Sequence, residues 1–186
     1  MPQGNRMIAV QRITVENALA FKAARLDALR DSPTAFGGTY ADESKLSDAE
    51  WRSRAAKCAG ETSIGYLAID EETVCGLARG ALDEGDSTVA WVQSMWVAPT
   101  HRKIGVGRLL VDEIFGWAIG RGVGTLKLMV TGNNEAAIRF YRGLGFSKTG
   151  RTEPYPNDAA LVECEMCRSF ARESAPPDGR GAPAPL

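Results

Sequence analysis

The chain has 186 residues, 44% hydrophobic and 24% charged, the size and balance of one ordinary globular domain, which excludes a fibrous or wholly disordered architecture. Its 22 basic and 23 acidic residues leave a net charge of -1, so there is no general electrostatic footprint for nucleic acid. No apolar run reaches the length that spans a bilayer, and the opening MPQGNRMIAV lacks the apolar core of a secretory signal. A cytoplasmic location is therefore the expectation.

Residues 1–6 read as a frayed N-terminus, and MIAVQRIT predicts a first strand. ENALAFKAARLDALRD follows, with Leu19, Ala23, Leu26 and Leu29 at helical spacing. Pro33 and the Gly37-Gly38 pair interrupt it, and Ser47 with Glu50 has the capping-box spacing that starts a second helix. The two helices flank a loop expected to be flexible and to carry aromatic residues. TSIGYLAID, TVCGLARGALD and STVAWVQSMWV are β-rich runs separated by short acidic or glycine-containing turns, which predicts an antiparallel meander.

Next comes a basic loop with two glycines, then Val106, Leu109, Leu110, Ile114, Trp117 and Ala118 repeating at helical spacing up to Gly120. TLKLMVTG predicts a strand, NEAAIRFYRGLGF a short helix ending at Gly143 or Gly145, and SKTGRTEPY with AALVECEMC two closing strands. This order calls for a mixed α/β sheet. From about Ala171 the Pro-, Gly- and Ala-rich end has little to bury and is expected to be a disordered tail, leaving 7–170 as the domain. Cys164 and Cys167 form C-x-x-C, but with His101 the only histidine and no second close pair, a metal is not expected. All four cysteines, with Cys58 and Cys75, read as packing residues.

The loop of residues 102–107 reads R-x-x-G-x-G and opens a helix. A helix N-terminus carries unpaired N–H groups and the positive end of the helix dipole, and glycines let an anion approach the backbone. Arg102, Lys103 and Arg108 add charge. The junction is suited to a phosphate, although a glycine turn of this kind is also ordinary punctuation. There is no G-x-x-x-x-G-K-[ST], and Leu110 stands where a dinucleotide fingerprint needs its third glycine, which argues against ATP and NAD.

The strand WVQSMWVAP leading into HRKIGVGRLLVDEI, together with LKLMVTGNNEAAIRFYRGLGF, which fits N-x-x-A-x-x-x-Y-x-x-x-G-F, resembles the GNAT superfamily of acyl-CoA-dependent N-acetyltransferases over residues 89–146. The resemblance implies an α/β (α+β) GNAT fold: a mixed, mostly antiparallel sheet of six or seven strands, splayed around the acetyl-CoA site and flanked by about four helices. It implies that the backbone amides of Arg102, Lys103, Ile104, Gly105, Val106 and Gly107, followed by Arg108, hold the CoA diphosphate. Main-chain groups of Met95, Trp96 and Val97 would pair with pantetheine and offer an amide to the thioester oxygen. Asn134 would contact the cofactor, and Tyr141 would protonate the departing thiolate. Read from the residues alone, Asn134 is also a helix cap and Tyr141 also a core aromatic.

One departure stands out. Many relatives place a glutamate base on the strand before the glycine loop, where this chain has Gln93, which cannot take a proton. Asp42, Glu43, Glu153 and Asp158 are the loop carboxylates that could substitute, or the amine arrives neutral. His101 is expected to face solvent on the phosphate side and has no part in the mechanism.

The acceptor site is expected between SPTAFGGTYADES and RTEPYPNDAA, where Phe36, Tyr40, Trp51 and Tyr155 offer either ligand surface or loop packing. The expected reaction is acetyl transfer to a primary amine, of a small molecule in preference to a protein or peptide N-terminus. The alternative is a non-catalytic acyl-CoA-binding sensor or interaction module. Neither nucleic acid nor membrane is an expected partner, and the family's habit of pairing leaves a homodimer open.

Overall fold

The computed structural model describes residues 7–170. The expectations of a frayed start over 1–6 and a disordered tail over 171–186 lie outside the described residues. The described chain runs β1 (Ile8–Arg12), α1 (Ala18–Asp31), a 3-10 turn (Pro33–Ala35), the single turn α2 (Tyr40–Glu43), α3 (Asp48–Lys57), β2 (Ser63–Asp70), β3 (Thr73–Leu82) and β4 (Val89–Val97). After a second 3-10 turn (Pro99–His101) come α4 (Val106–Gly120), β5 (Thr125–Thr131), α5 (Glu135–Gly143), β6 (Ser147–Tyr155) and β7 (Asp158–Ser169).

Seven strands form one sheet in the order β1-β2-β3-β4-β5-β7-β6. Every neighbouring pair is antiparallel except β4 with β5, which is parallel because α4 carries the chain across between them. The mixed α/β sheet is thus as expected, with five helices, one of them a single turn, where about four were expected.

On one face α4 lays Leu110, Val111, Ile114, Phe115 and Ala118 against Ala78, Ala90, Leu126 and Leu128, all buried. The stripe is turned slightly from the expected one, because Leu109 is 41% exposed while Val111 and Phe115 go inward. On the other face α1 buries Phe21, Ala24, Ala28 and Leu29, and α3 buries Trp51 and Ala55. Leu19 and Ala23, expected on the apolar stripe, are exposed. Small alanines let α1 lie close to the sheet, and the inward face also takes a charged residue, Arg25, which a purely apolar count passes over. Each fully buried Leu, Ile or Trp contributes roughly 1.5–3 kcal/mol.

The capping box forms as read: the Ser47 hydroxyl accepts from the Glu50 amide at 3.3 Å and the Glu50 carboxylate accepts from the Ser47 amide at 2.7 Å. The segment between α1 and α3 is not the free loop expected. The Tyr155 hydroxyl donates to the Phe36 carbonyl at 2.6 Å, and the Asn157 amide donates to the Gly37 carbonyl at 3.1 Å. Phe36, Trp51 and Tyr155 are all buried, so of the four aromatics only Tyr40 keeps appreciable accessible surface.

Candidate active site

The sheet opens at its centre. β4 and β5 pair over only three positions, Val89↔Thr125, Ala90↔Leu126 and Trp91↔Lys127, so the β4 edge from Val92 to Val97 faces the gap with no strand beside it. Its cause lies on the other side of β4. Leu77 and Arg79 of β3 stand opposite Trp96 and Gln93, so two steps of β3 span three of β4. The extra residue forms a bulge at which Ser94 takes a φ of 53°, and a bulge bends its strand.

β4 then delivers the chain to the glycine loop. Lys103 has a φ of 64° and Gly105 a φ of 98°, and a side chain added at Gly105 would meet nothing within 4 Å. Two left-handed residues turn the chain so that α4 begins with its first amides toward the cleft. The Leu109 amide, bonded to the Gly105 carbonyl at 3.1 Å, is the first to reach back into the turn, so those of Val106, Gly107 and Arg108 precede the helical ladder. Gly107 has a different reason to be glycine: a Cβ there would lie 2.9 Å from the Phe140 ring and 3.2 Å from the Met95 methyl. It permits α5 to pack against the start of α4.

Arg102 is not simply presented to an anion. Its Nε donates to the Val97 carbonyl at 2.9 Å and its guanidinium pairs with Asp31, while its own amide lies 3.5 Å from the Pro99 carbonyl. Lys103 and Ile104 are exposed, and the Arg108 guanidinium reaches the Gly143 carbonyl at 3.4 Å. Trp96 is buried with its indole donating to Asp31 at 2.9 Å, whereas Met95 and Val97 line the open cleft.

A cleft of about 630 Å³ runs from this loop along Met95, Trp96 and Val97 to Asn134 and Tyr141, within the range of small-molecule sites. A second cavity of about 280 Å³ passes between β4 and β5, bounded by Trp91, Gln93, Ser94, Met129, Thr131 and Ala35. The two share Ala35, Met95, Asn134, Ala137 and Tyr141, so these residues stand where the spaces meet. Asn134 caps α5, its side-chain oxygen accepting from the Ala137 amide at 3.1 Å. Tyr141 is 7% exposed and flanked by Phe140 and Phe146 at 5.1 and 5.7 Å between ring centres. Burial pushes its hydroxyl well above the ordinary tyrosine value, so it is a neutral donor.

The loop carboxylates behave differently from one another. Glu43 is buried and bound by Arg25 at 2.8 and 3.0 Å and by Arg54 at 3.0 Å. Burial alone would raise its carboxyl, but the hydrogen bonds and charges of Arg25 and Arg54 outweigh that and hold it below the ordinary range. A carboxylate so held is a poor proton acceptor. Asp42 accepts from the Thr39 hydroxyl, Glu153 pairs with Arg151, and Asp158 accepts from the Ala160 amide. His101 does not face solvent: it is buried, with Nε2 3.0 Å from Asp70 and Nδ1 2.8 Å from the Thr100 hydroxyl, and pins the loop to the end of β2.

Sequence reasoning missed Asp31 and Arg25. Asp31 gathers Trp96, Arg102 and Ser32, and Arg25 sets a guanidinium nitrogen 3.5 Å from the Ser94 hydroxyl at the bulge. The Asp31–Trp96 and Arg25–Ser94 pairings join α1 to a strand more than sixty positions away, and no local pattern signals them.

Comparison with known proteins gives a consistent picture. The model of the Acetyltransferase (GNAT) family matches residues 26–146. The chain is 42% identical over 59 residues to the streptothricin acetyltransferase of Streptomyces lavendulae, covering 32% of this chain and 31% of that protein. It is 34% identical over 95 residues to the [ribosomal protein bS18]-alanine N-acetyltransferase of Salmonella typhimurium, covering 50% of this chain and 61% of that one. In both cases the match spans less than two thirds of the relative's own length. YncA of Salmonella typhimurium, solved with its cofactor acetyl-CoA, shares the fold at a TM-score of 0.73 and 17% identity, over 92% of this chain and 99% of that one.

Proposed function

The chain belongs to the Acetyltransferase (GNAT) family, and on that premise we propose that it transfers the acetyl group of acetyl-CoA directly to the primary amine of a compact small molecule. The observation that carries this reading is the junction of two spaces at Tyr141: a long cleft that begins at helix amides and a short chamber that passes through the sheet.

The residues of the long cleft suit acetyl-CoA. The amides of Val106, Gly107 and Arg108, with the charges of Lys103, Arg108 and Arg139 on the same cleft, match a diphosphate. The strandless edge of β4 at Met95 and Val97 offers backbone groups to an extended amide chain such as pantetheine. When bound, acetyl-CoA supplies an acetyl group activated as a thioester. The bulge amides near Met95 are the donors for negative charge on the carbonyl oxygen. Asn134 keeps its side-chain amide group available at the junction, and the neutral Tyr141 hydroxyl donates a proton to the sulfur that leaves.

The chamber favours a compact acceptor. Ala35 and Thr131 bound it, the Thr131 hydroxyl donates to the Thr34 carbonyl at 2.8 Å, and Tyr155 fastens the same turn through the Pro33 carbonyl at 3.0 Å. The streptothricin relative accords with a small acceptor, while the bS18-alanine relative favours a peptide N-terminus as the second reading.

Calorimetric titration with acetyl-CoA, followed by free-thiol release in the presence of small amines and of an alanine-initiated peptide, tests the reading. One-to-one binding and faster turnover with the small amines are expected. Binding without turnover on any amine would leave a sensor module, and absence of binding would remove the proposal altogether.

A further inference from the structure

We infer that Glu163 of β7 is the proton acceptor for the incoming amine, the role that Gln93 cannot fill. The inference rests on the acetyl-transfer reading above.

Directly opposed residues of antiparallel strands put their side chains on one face, with Cβ atoms about 4.5–5.5 Å apart. Glu163 is opposite Thr131 of β5 in this way, and Met129, diagonal to it, faces Glu165. Thr131 and Met129 both wall the chamber between β4 and β5. Glu163 therefore shares the face of Thr131 and Met129, the β5 walls of the acceptor chamber, one strand out from the opening that Gln93 borders. Thr131 cannot occupy it, since its hydroxyl already donates to Thr34.

The neighbouring carboxylates on this face each have a cationic partner. Glu165 lies 3.6 Å from Lys127 and 3.3 Å from Arg151, and Glu153 pairs with Arg151. Glu43 and Asp31 are held by arginines as described. Glu163 is half-buried and, among the described residues, its carboxylate has no hydrogen bond or ion pair. The charged groups that face it are Lys127 of β5, Glu165 on its own strand, and Arg151 and Glu153 of β6, with Glu153 directly opposite. The turn Pro33–Ala35 beyond Thr131 brings no titratable group. Burial and then the Glu153 charge raise the Glu163 carboxyl above its ordinary value of 4.5, which suits a group that must accept a proton near neutrality.

The substrate ammonium passes one proton to Glu163, and the freed lone pair forms the C–N bond to the acetyl carbon as the C–S bond breaks. The second nitrogen proton reaches the departing sulfur by way of Tyr141, and Glu163 returns its proton to water.

The experiment is the pH dependence of kcat/KM, by free-thiol release with acetyl-CoA and L-alaninamide, L-lysine or spermidine, for the wild type, Glu163→Gln, Glu163→Asp and Glu153→Gln. Glu163→Gln should lower kcat about 100-fold or more with the acetyl-CoA Kd unchanged, and should abolish the acid limb of the profile. Glu163→Asp should restore part of the rate. Glu153→Gln should move the acid limb to lower pH, which a purely structural role for Glu163 would not produce. Glu163→Gln with kcat within about threefold of wild type and the same acid limb would overturn the assignment while leaving acetyl transfer intact. A wild type that binds acetyl-CoA but acetylates none of the amines would overturn both.

Discussion

Asp31, the last residue of α1, accepts the Trp96 indole N–H at 2.9 Å and pairs with Arg102 through the same Oδ2. One carboxylate thus fixes the end of β4 and the start of the glycine loop against a helix from the opposite face of the sheet. The glycine-loop end of the cleft is held from behind.

Burial would raise the Asp31 carboxyl, but hydrogen bonds from Trp96, Ser32 and Arg102 together with the Arg102 charge bring it below 3.8. A group whose folded value is lowered contributes stability in full above its unfolded value and loses it as the pH falls through the folded one. Acid unfolding of the wild type should therefore steepen below pH 3.8, and Asp31→Asn should flatten that slope. At neutral pH the same change should cost about 1.5–3 kcal/mol in urea unfolding, the scale of hydrogen bonds to a charged group, and should weaken acetyl-CoA binding several-fold.

Gly105 isolates backbone conformation from packing. With a φ of 98° and open space where a Cβ would stand, Gly105→Ala meets no clash and only the left-handed penalty, about 1–2 kcal/mol. Relaxing that penalty reorients the amides that open α4. The acetyl-CoA Kd should rise about tenfold, roughly the equilibrium equivalent of 1.4 kcal/mol, while Gly107→Ala, which collides with Phe140 and Met95, should lose more thermal stability. Calorimetry and thermal unfolding of the two variants separate the effects.

The strand, glycine loop and helix over residues 89–120 were legible because their signals are local: an apolar strand, a left-handed turn that wants glycine, and a helical period. So was the spacing that sets Asn134 at the cap of α5 and Tyr141 seven positions on, both lining the cleft. The partner sets were not legible. Arg102 reads as a free cation until the fold brings Asp31 to it, and His101 reads as a surface loop residue until Asp70 closes over it. Glu163 sits in a strand whose neighbours are packing residues, and only the pairing of β7 between β5 and β6 sets it beside Thr131 and Glu153. Pairing register across a sheet is a tertiary property that a one-dimensional pattern does not carry.

Glu43 and its arginines form the buried polar support beneath the bulge. Arg25 bridges from Glu43 to the Ser94 hydroxyl and stacks over Phe36 at 4.7 Å, so this pair joins α1, α2 and β4. Glu43→Gln removes the charge and leaves Arg25 buried without its counter-ion, which should cost about 3–5 kcal/mol by urea unfolding. Because Ser94 bounds the acceptor chamber, KM for the amine should rise more than the Kd of acetyl-CoA. An equal rise in both would place the network's effect outside the chamber.

Tyr141 offers the sharpest division between binding and chemistry. It packs among Phe140, Phe146 and the α4 core, so Tyr141→Phe keeps the ring and its contacts and deletes only the hydroxyl. Acetyl-CoA affinity should stay within about twofold, since the cleft is otherwise intact, whereas kcat should fall about 10- to 100-fold, at or below the usual range for a general acid because a thiolate already leaves readily. Burial raises the hydroxyl above its ordinary value of 10.0, so it remains protonated through the alkaline range. The wild-type rate should therefore show no loss traceable to this residue up to pH 10.0, and a fall near pH 9 that disappears in Tyr141→Phe would mean the hydroxyl ionises far more easily than its apolar surroundings permit.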